Sequence, residues 1–169
     1  MHFYKWVRND HNHFGHIFTE GLNVDLVPFN PSGSGKPGGF HYLREDILAF
    51  FDFGNILYRV EIPPNAQTYE DPLTEYKFWK SSKIILSNPR PFNLETVIEL
   101  VIEGANPHVN DEAPLILAAN YGYLDLVEFF VSCGADINAQ NGSALKYALI
   151  NHRFHVVEYL INKGAEIRD

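Results

Sequence analysis

LDLVEFFVSCGADIN, residues 124–138, is the stretch that decides the fold, because its ending recurs in the chain at a fixed spacing. Gly-Ala followed by a polar residue begins at Gly104, Gly134 and Gly164, each time after an apolar run with helical periodicity. Both steps are 30 residues long. A period of this length indicates stacked structural repeats, each of which packs on its neighbours.

Each repeat contains two predicted helices. The first is rich in small residues, which allow close helix packing, and the second is more apolar. A glycine that can adopt the left-handed conformation follows the second helix. The predicted first helices are Pro114–Asn120 and Ala144–Ile150, and the predicted second helices are Leu124–Ser132 and Phe154–Asn162.

The complete units closely resemble the ankyrin repeat. DEAPLILAA at residues 111–119 stands where that family has its turn and the motif Thr-Pro-Leu-His-x-Ala-Ala, and GYLDLV at 122–127 matches its helix-turn-helix. The chain departs from the family at Ala113 and Ile116, and its period is 30 residues where the family norm is about 33. The resemblance implies a solenoid of about two and a half repeats with shortened finger loops.

The first unit is incomplete. Leu94–Glu103 matches a second helix, but Pro89 and Pro91 do not permit a first helix before it. We therefore expect the preceding residues to cap the solenoid. The predicted domains are a capping module at 1–91 and repeats at 92–169, divided into 92–110 (partial), 111–140 and 141–169.

The N-terminal module reads as strand-rich. Residues 55–62 alternate between two sets, which predicts a half-buried strand with one set towards the core. The sets are Ile56, Tyr58, Val60 and Ile62 on one side and Leu57, Arg59 and Glu61 on the other. A short helix is predicted at Arg44–Phe53, with Gly54 as a left-handed cap; further strands are predicted at His2–Arg8, around Gln67–Glu70 and at Tyr76–Leu86. The predicted fold class is α+β, with this small domain packed on an all-α ankyrin-repeat solenoid.

The formal net charge of −8 is concentrated in the repeats, since residues 92–169 hold 11 Asp/Glu and 4 Lys/Arg. Such a surface would repel nucleic-acid phosphates, so we expect no nucleic-acid partner and favour a basic protein partner. The alternative is that the acidity only keeps the repeats soluble.

No apolar run reaches the roughly 20 residues of a membrane span, and the single Cys133 suits a reducing compartment. We expect a cytoplasmic protein without a membrane partner.

The N-terminal module also resembles a known group. EGLNVD (20–25), PGGFHYL (37–43), YRVEIP (58–63) and KSSKIIL (80–86) are similar to the N-terminal region of ankyrin-repeat proteins of giant DNA viruses of amoebae, of the mimivirus type. Together with the repeats, this resemblance covers essentially the whole chain. It implies that the protein acts in the cytoplasm of an infected host.

An enzymatic alternative rests on residues 38–42, GGFHY, which resemble a segment of ADP-ribosyltransferases followed in that family by a helix and a strand. The resemblance implies an NAD-using domain in which His41 and Tyr42 contact the cofactor and Glu75 is catalytic. The match is partial, because His41 stands where a tyrosine is expected and Tyr42 comes one place late, on the opposite face of a strand. The incomplete set favours a protein without catalysis or cofactor.

Two other motifs are weaker. His11, His13 and His16 could contact a metal ion, but no further ligand lies nearby in the sequence, so a polar turn with exposed histidines is favoured. The segment Ser34-Gly35-Lys36 lacks the spacing of a phosphate-binding loop.

The predicted function is protein–protein interaction, as an adaptor or scaffold. Candidate contact residues lie on the finger segments and the helix turns, which stay exposed in a solenoid. They are Asp111, Glu112, Tyr121, Tyr123, Gln140 and Asn141. For Tyr121 and Tyr123 the alternative is packing between repeats. The last unit still shows Val156, Tyr159 and Leu160 on its helix, so either further repeats or self-association at this end is also expected.

Overall fold

The computed structural model describes residues 2–8, 10, 12–13, 15–31, 36–71 and 77–167, with the backbone alone at 12–13. The chain forms two compact units, Met1–Ala105 and Asn106–Asp169. Strands dominate the first unit and helices make up the second, so the predicted α+β class is confirmed. The first unit includes the helix α1, Leu94–Ile102, which the repeat pattern assigns to the partial repeat.

The first unit is built on antiparallel sheets. A four-stranded sheet has the order β1-β6-β9-β4, a three-stranded sheet has the order β5-β8-β7, and β2 pairs with β3. The strands are β1 Phe3–Val7, β2 Asn12–His13, β3 His16–Ile17, β4 Gly21–Val24, β5 Phe40–Tyr42, β6 Ile56–Glu61, β7 Thr68–Glu70, β8 Trp79–Ser81 and β9 Lys83–Pro91. Pro89 and Pro91 therefore lie at the end of a strand, so β9 and not a first repeat helix leads into α1, as the two prolines predict.

Around Leu57 the four-stranded sheet is covered on both faces. One face packs into an apolar cluster that contains Tyr58, Val60 and Ile84. On the other face Leu57 is fully buried, and the Trp6 ring nitrogen donates a hydrogen bond to the Ile47 carbonyl at 3.0 Å. The prediction of a half-buried strand is therefore wrong at Leu57, because this residue is buried on the face that the alternation assigns to solvent.

A β-bulge interrupts the pairing of β6 with β9. Leu57 lies opposite Arg90 and Arg59 lies opposite Ser87, so β9 carries one extra residue at this point. Asn88 adopts a left-handed backbone there, with φ of 53°. Asparagine tolerates this conformation better than most residues.

The predicted helix before β6 is a 3₁₀ helix, Glu45–Phe53, interrupted at Phe50, and Gly54 does not cap it in the left-handed conformation. The backbone of Gly54 is extended, with φ of −174°. A glycine is needed there for another reason, since a Cβ atom would lie 2.5 Å from backbone atoms of Val7. The prediction identified the right residue and the wrong cause.

The second unit repeats one packing pattern at a spacing of 30 residues. Its helices are α2 Val109–Tyr121, α3 Leu124–Ser132, α4 Ala139–Ile150 and α5 Phe154–Asn162. The bounds of α3 and α5 are those predicted. Buried residues recur at equivalent places, with Leu115, Ala118, Val127 and Phe130 matched by Leu145, Ala148, Val157 and Leu160.

The first turns of α2 and α4 depart from right-handed helical geometry. Asn110–Glu112 and Gln140–Gly142 each have three consecutive residues with positive φ. Only glycine adopts this conformation without a steric penalty, so five of these six residues are strained. None of the helices in the described part of the chain has the length and apolarity that a bilayer crossing requires.

Candidate functional site

Two tyrosines flank the turn between α2 and α3. Gly122 ends α2 with φ of 83° and donates its N–H to the carbonyls of Ala118 and Ala119. This turn brings the rings of Tyr121 and Tyr123 into a stack with centroids 6.0 Å apart. Tyr121 is 40% exposed and Tyr123 is 39% exposed, so each ring packs on the other and still presents area to solvent.

The equivalent turn of the next repeat carries exposed aromatic residues that sequence reasoning missed. Phe154 is 66% exposed, and its ring lies 5.9 Å from that of His152. By the 30-residue period these two residues are equivalent to Gly122 and Leu124, so they belong to the corresponding turn of the next repeat. Their place in this turn was the signal that could have identified them. We call Tyr121, Tyr123, His152 and Phe154 the aromatic turn surface.

Hydrogen bonds connect the two turns. The Arg153 Nε donates to the Asn120 carbonyl at 3.2 Å, and a ring nitrogen of His155 lies 2.9 Å from the Gly122 carbonyl. Asn151 donates to the Asn120 side-chain oxygen at 2.8 Å. The aromatic residues therefore belong to turns that hydrogen bonds hold in place, which lowers the entropy cost of binding.

The finger candidates divide into exposed and buried residues. Asp111, Gln140 and Asn141 are exposed, and the Gln140 amide donates to the Asp111 carbonyl at 2.9 Å. Glu112 is only 8% exposed, and its carboxylate accepts the Asp136 N–H at 3.2 Å. The expectation that Glu112 is exposed for a partner is wrong, because this carboxylate satisfies a backbone group inside the repeat.

Glu112 forms part of a pair that differs between repeats. Its carboxylate lies 2.9 Å from the His108 Nδ1. In the next repeat the equivalent backbone N–H belongs to Glu166, and it donates to the side-chain oxygen of Asn138 at 2.8 Å. Gly142 occupies the place of Glu112, and a Cβ there would lie 2.0 Å from the Glu166 carbonyl oxygen. The two repeats therefore satisfy one backbone group with different residues.

Part of the acidity of residues 92–169 is neutralised inside the first unit. Arg90 donates to Glu99 at 2.8 Å and to Glu103 at 3.2 Å, and the Tyr4 hydroxyl also donates to Glu103. Burial, together with Glu103, raises the pKa of Tyr4 to about 12. Burial alone would raise the pKa of Glu103, but the hydrogen bonds from Tyr4 and Arg90 outweigh it and lower that pKa. These contacts attach α1 to the sheet.

The transferase-like residues are only partly described. His41 and Tyr42 are neighbours on β5, so their side chains leave opposite faces of the strand. Tyr42 is 2% exposed, its ring packs edge-on against Phe3 at 5.0 Å, and burial raises its pKa to about 12. Glu75 lies outside the described residues. The enzymatic alternative stays a prediction.

The histidine motif is likewise incomplete. His11 lies outside the described residues, and His13 is described by its backbone alone, in β2. The His16 Nε2 lies 3.2 Å from the Asn23 side-chain oxygen, and its ring packs on Phe40. Within the described ranges no group of three or more His, Cys, Asp or Glu side chains could hold a metal ion. Ser34 and Gly35, from the segment compared with a phosphate-binding loop, are also outside these ranges.

Comparison with known proteins gives a family match for the C-terminal half. The sequence model for ankyrin repeats matches residues 88–169 in three copies. An ankyrin repeat protein of Acanthamoeba polyphaga mimivirus is 32% identical over 123 residues, which is 69% of this chain and 40% of the relative. A second ankyrin repeat protein of the same virus is 24% identical over 143 residues, 82% of this chain and 43% of the relative.

A third relative comes from an animal. The ARF GTPase-activating protein Git of Drosophila melanogaster is 30% identical over 95 residues, 52% of this chain and 13% of that protein. The chain thus spans less than half the length of these three curated relatives. No solved structure matches it.

Proposed function

Residues 88–169 are ankyrin repeats, which are a protein–protein interaction module, and from this premise we propose that the protein is a non-enzymatic adaptor or scaffold that binds another protein. The observation that carries the proposal is the aromatic turn surface. Tyrosine is enriched among the residues that dominate binding energies, and a ring that is already stacked loses little freedom on contact.

The charge of the second unit supports a basic partner. Among its described residues the exposed carboxylates outnumber the cations: Asp111, Asp125, Glu128, Asp136, Glu158 and Glu166 against exposed Lys146 and Lys163 and half-buried Arg153. Glu99 and Glu103 do not contribute in full, because Arg90 neutralises them. Complementary charge mainly accelerates association and selects the partner, so binding should weaken as salt is added.

The relatives support a viral setting. Two of them are mimivirus ankyrin repeat proteins, and each alignment covers more than two thirds of this chain. As part of the same proposal, the partner is a host protein and the site of action is the cytoplasm of the infected cell. A fluorescent fusion in infected amoebae tests the location, and a fusion confined to virus particles would contradict it.

Binding through the aromatic turn surface is tested by replacing Tyr121 and Tyr123 together with alanine. Affinity capture from amoebal lysate, quantified by mass spectrometry, should recover a protein with the wild type that the double variant loses. With that purified protein, the dissociation constant should rise about 10- to 100-fold. Tyr147→Ala, which removes a 43% exposed tyrosine from α4, is the matched control and should bind normally. Equal capture by all three proteins would contradict the proposal.

We also propose that the last repeat self-associates. Leu149 is 39% exposed, whereas its equivalent Ala119 is fully buried, and Ile150 and Ile161 are 60% and 54% exposed. Sedimentation equilibrium should detect a dimer whose dissociation constant rises at least 10-fold in the double variant Ile150→Lys, Ile161→Lys. A monomeric wild type at millimolar concentration would contradict this part.

A further inference from the structure

The two edges of the four-stranded sheet differ in what covers them. At the β1 edge, Tyr4 exchanges backbone hydrogen bonds of 2.8 and 2.9 Å with Leu43. At the β4 edge, no strand of the described part of the chain pairs with the outer side. An uncovered edge is a template for another strand, and proteins usually blunt such edges.

The backbone of β4 presents hydrogen-bonding groups at this edge. Asp25, directly after β4, donates its N–H at 3.0 Å to the carbonyl of Ser82, the residue directly before β9. Because backbone groups alternate in direction along a strand, Gly21 and Asn23 also face β9. The N–H and C=O groups of Leu22 and Val24 therefore point away from the sheet, which gives two donors and two acceptors at strand spacing.

The side chains along this edge are aliphatic and exposed. Leu22 is 59% exposed and Val24 is 39% exposed, and both lie on one face of the strand. Leu26 and Val27, which follow directly, are 92% and 45% exposed. A cluster of exposed aliphatic side chains beside open backbone groups is a feature of binding surfaces that recognise extended chains.

The charges around the edge are mainly negative. Glu20 and Asp25 flank β4, and Glu61 lies in the same cross-strand row as Leu22. Lys83 lies opposite Val24 and the buried Lys80 interacts with Asp25, so the negative charge of this edge rests mainly on the exposed Glu20 and Glu61. A strand that pairs with β4 would therefore be favoured by Lys or Arg at its ends.

We propose that the β4 edge binds an extended segment of another protein as a fifth strand of the sheet. The segment carries aliphatic residues at alternate positions, which pack beside Leu22 and Val24, and basic residues at its ends. This site lies in the first unit, so it is separate from the aromatic turn surface and goes beyond the function proposed above.

A second copy of this chain fits the edge less well. Two-fold pairing centred on Asn23 would form four backbone hydrogen bonds across a strand of only four residues. Such a contact falls well short of the roughly 1,200 Å² that stable protein interfaces bury. It would also bring two acidic edges together.

The probe is an acetylated and amidated peptide of nine residues that alternates Thr and Val and has Lys at each end. Titration into the ¹⁵N-labelled protein should shift the amide signals of β4, and hydrogen exchange at Leu22 and Val24 should slow at least 10-fold. A peptide of the same sequence with N-methylated valines cannot form the backbone hydrogen bonds and should not bind. A peptide with Glu at each end should bind at least 10-fold more weakly.

Variants of the protein complete the test. Val24→Pro removes an N–H that points away from β9, so the sheet should remain intact while peptide binding weakens at least 10-fold. The double variant Leu22→Lys, Val24→Lys keeps the backbone unchanged and should repel the basic peptide, in case the proline disturbs folding. Ile17→Lys, at a 66% exposed aliphatic residue outside β4, is the control and should bind normally.

Two results would overturn the proposal. One is the absence of any change at β4 with millimolar peptide. The other is a wild-type dimer that Val24→Pro abolishes, because this would assign the edge to a second copy. Neither result affects the binding test for Tyr121 and Tyr123, which concerns the second unit.

Discussion

Replacing Lys5 by methionine is expected to raise the free energy of unfolding of the first unit by about 2 kcal/mol at pH 7. Lys5 is 6% exposed, and its ammonium group contacts the His41 carbonyl at 2.8 Å and lies over the Phe18 ring. Burial lowers its pKa from 10.5 to about 8, which corresponds to roughly 3 kcal/mol against the charged form. Loss of the hydrogen bond to His41 offsets about 1 kcal/mol of the gain.

The effect has a defined pH dependence. Between about pH 8 and pH 10.5 the unfolded chain binds more protons at Lys5 than the folded chain, so wild-type stability rises with pH through this window. The advantage of Lys5→Met should therefore be full below pH 8 and should shrink towards pH 10.5. Tyr4 and Tyr42, whose pKa values are raised to about 12, titrate in both proteins and cancel in the comparison.

The measurement can be confined to the first unit. Both tryptophans of the chain, Trp6 and Trp79, lie in that unit, so urea titrations followed by tryptophan fluorescence report its unfolding. Lys146→Met, at an exposed lysine of α4, is the control and should leave this transition unchanged. A loss of stability in Lys5→Met at every pH would mean that the ammonium contacts outweigh its desolvation.

Replacing Gly54 by alanine should have the opposite effect and lower the stability of the first unit by about 3 kcal/mol. The added methyl group would lie 2.5 Å from backbone atoms of Val7, in a strand that pairs with β6 and is also bridged to Leu43 at Tyr4, so the backbone itself must move. The φ of −174° at Gly54 suits any residue, so the whole loss is steric.

Gly21→Ala is the matched control in the same unit. Gly21 has φ of 92°, and a Cβ there meets nothing within 4 Å, so only the left-handed conformation is penalised. This substitution should cost about 1 kcal/mol. Tryptophan fluorescence in urea measures both variants, and equal losses for the two would contradict the steric explanation.

The repeats could be predicted because their period fixes many positions at once. The bounds of α3 and α5 and the buried positions follow from matching residues 30 apart. Tyr121 and Tyr123 were identified as candidates from their place in a turn. Glu112 was misjudged because sequence does not show which finger side chain turns inward to bind a backbone N–H.

The first unit was harder to predict because its central strands are covered on both faces. Alternation of apolar and polar residues identifies a strand that has one solvent-exposed face. Leu57 and Lys5 do not follow this pattern, because both are buried where neither face of the sheet is open. Strand pairing depends on contacts between distant residues, so the open edge at β4 could not be read from the local pattern. Gly54 shows the same limit, because its partner Val7 lies far away in sequence.

The pairs His108–Glu112 and Asn138–Gly142 constrain how such an array can be shuffled by recombination. In the first pair the second member, Glu112, accepts the N–H of Asp136. In the second pair the first member, Asn138, accepts the equivalent N–H of Glu166. A hybrid with Asn at 108 and Glu at 112 would offer two acceptors to one donor, and the reverse hybrid would offer it none. A genetic crossover between the two members of a pair therefore changes the number of acceptors that face this N–H, whereas exchange of whole units keeps one acceptor for it.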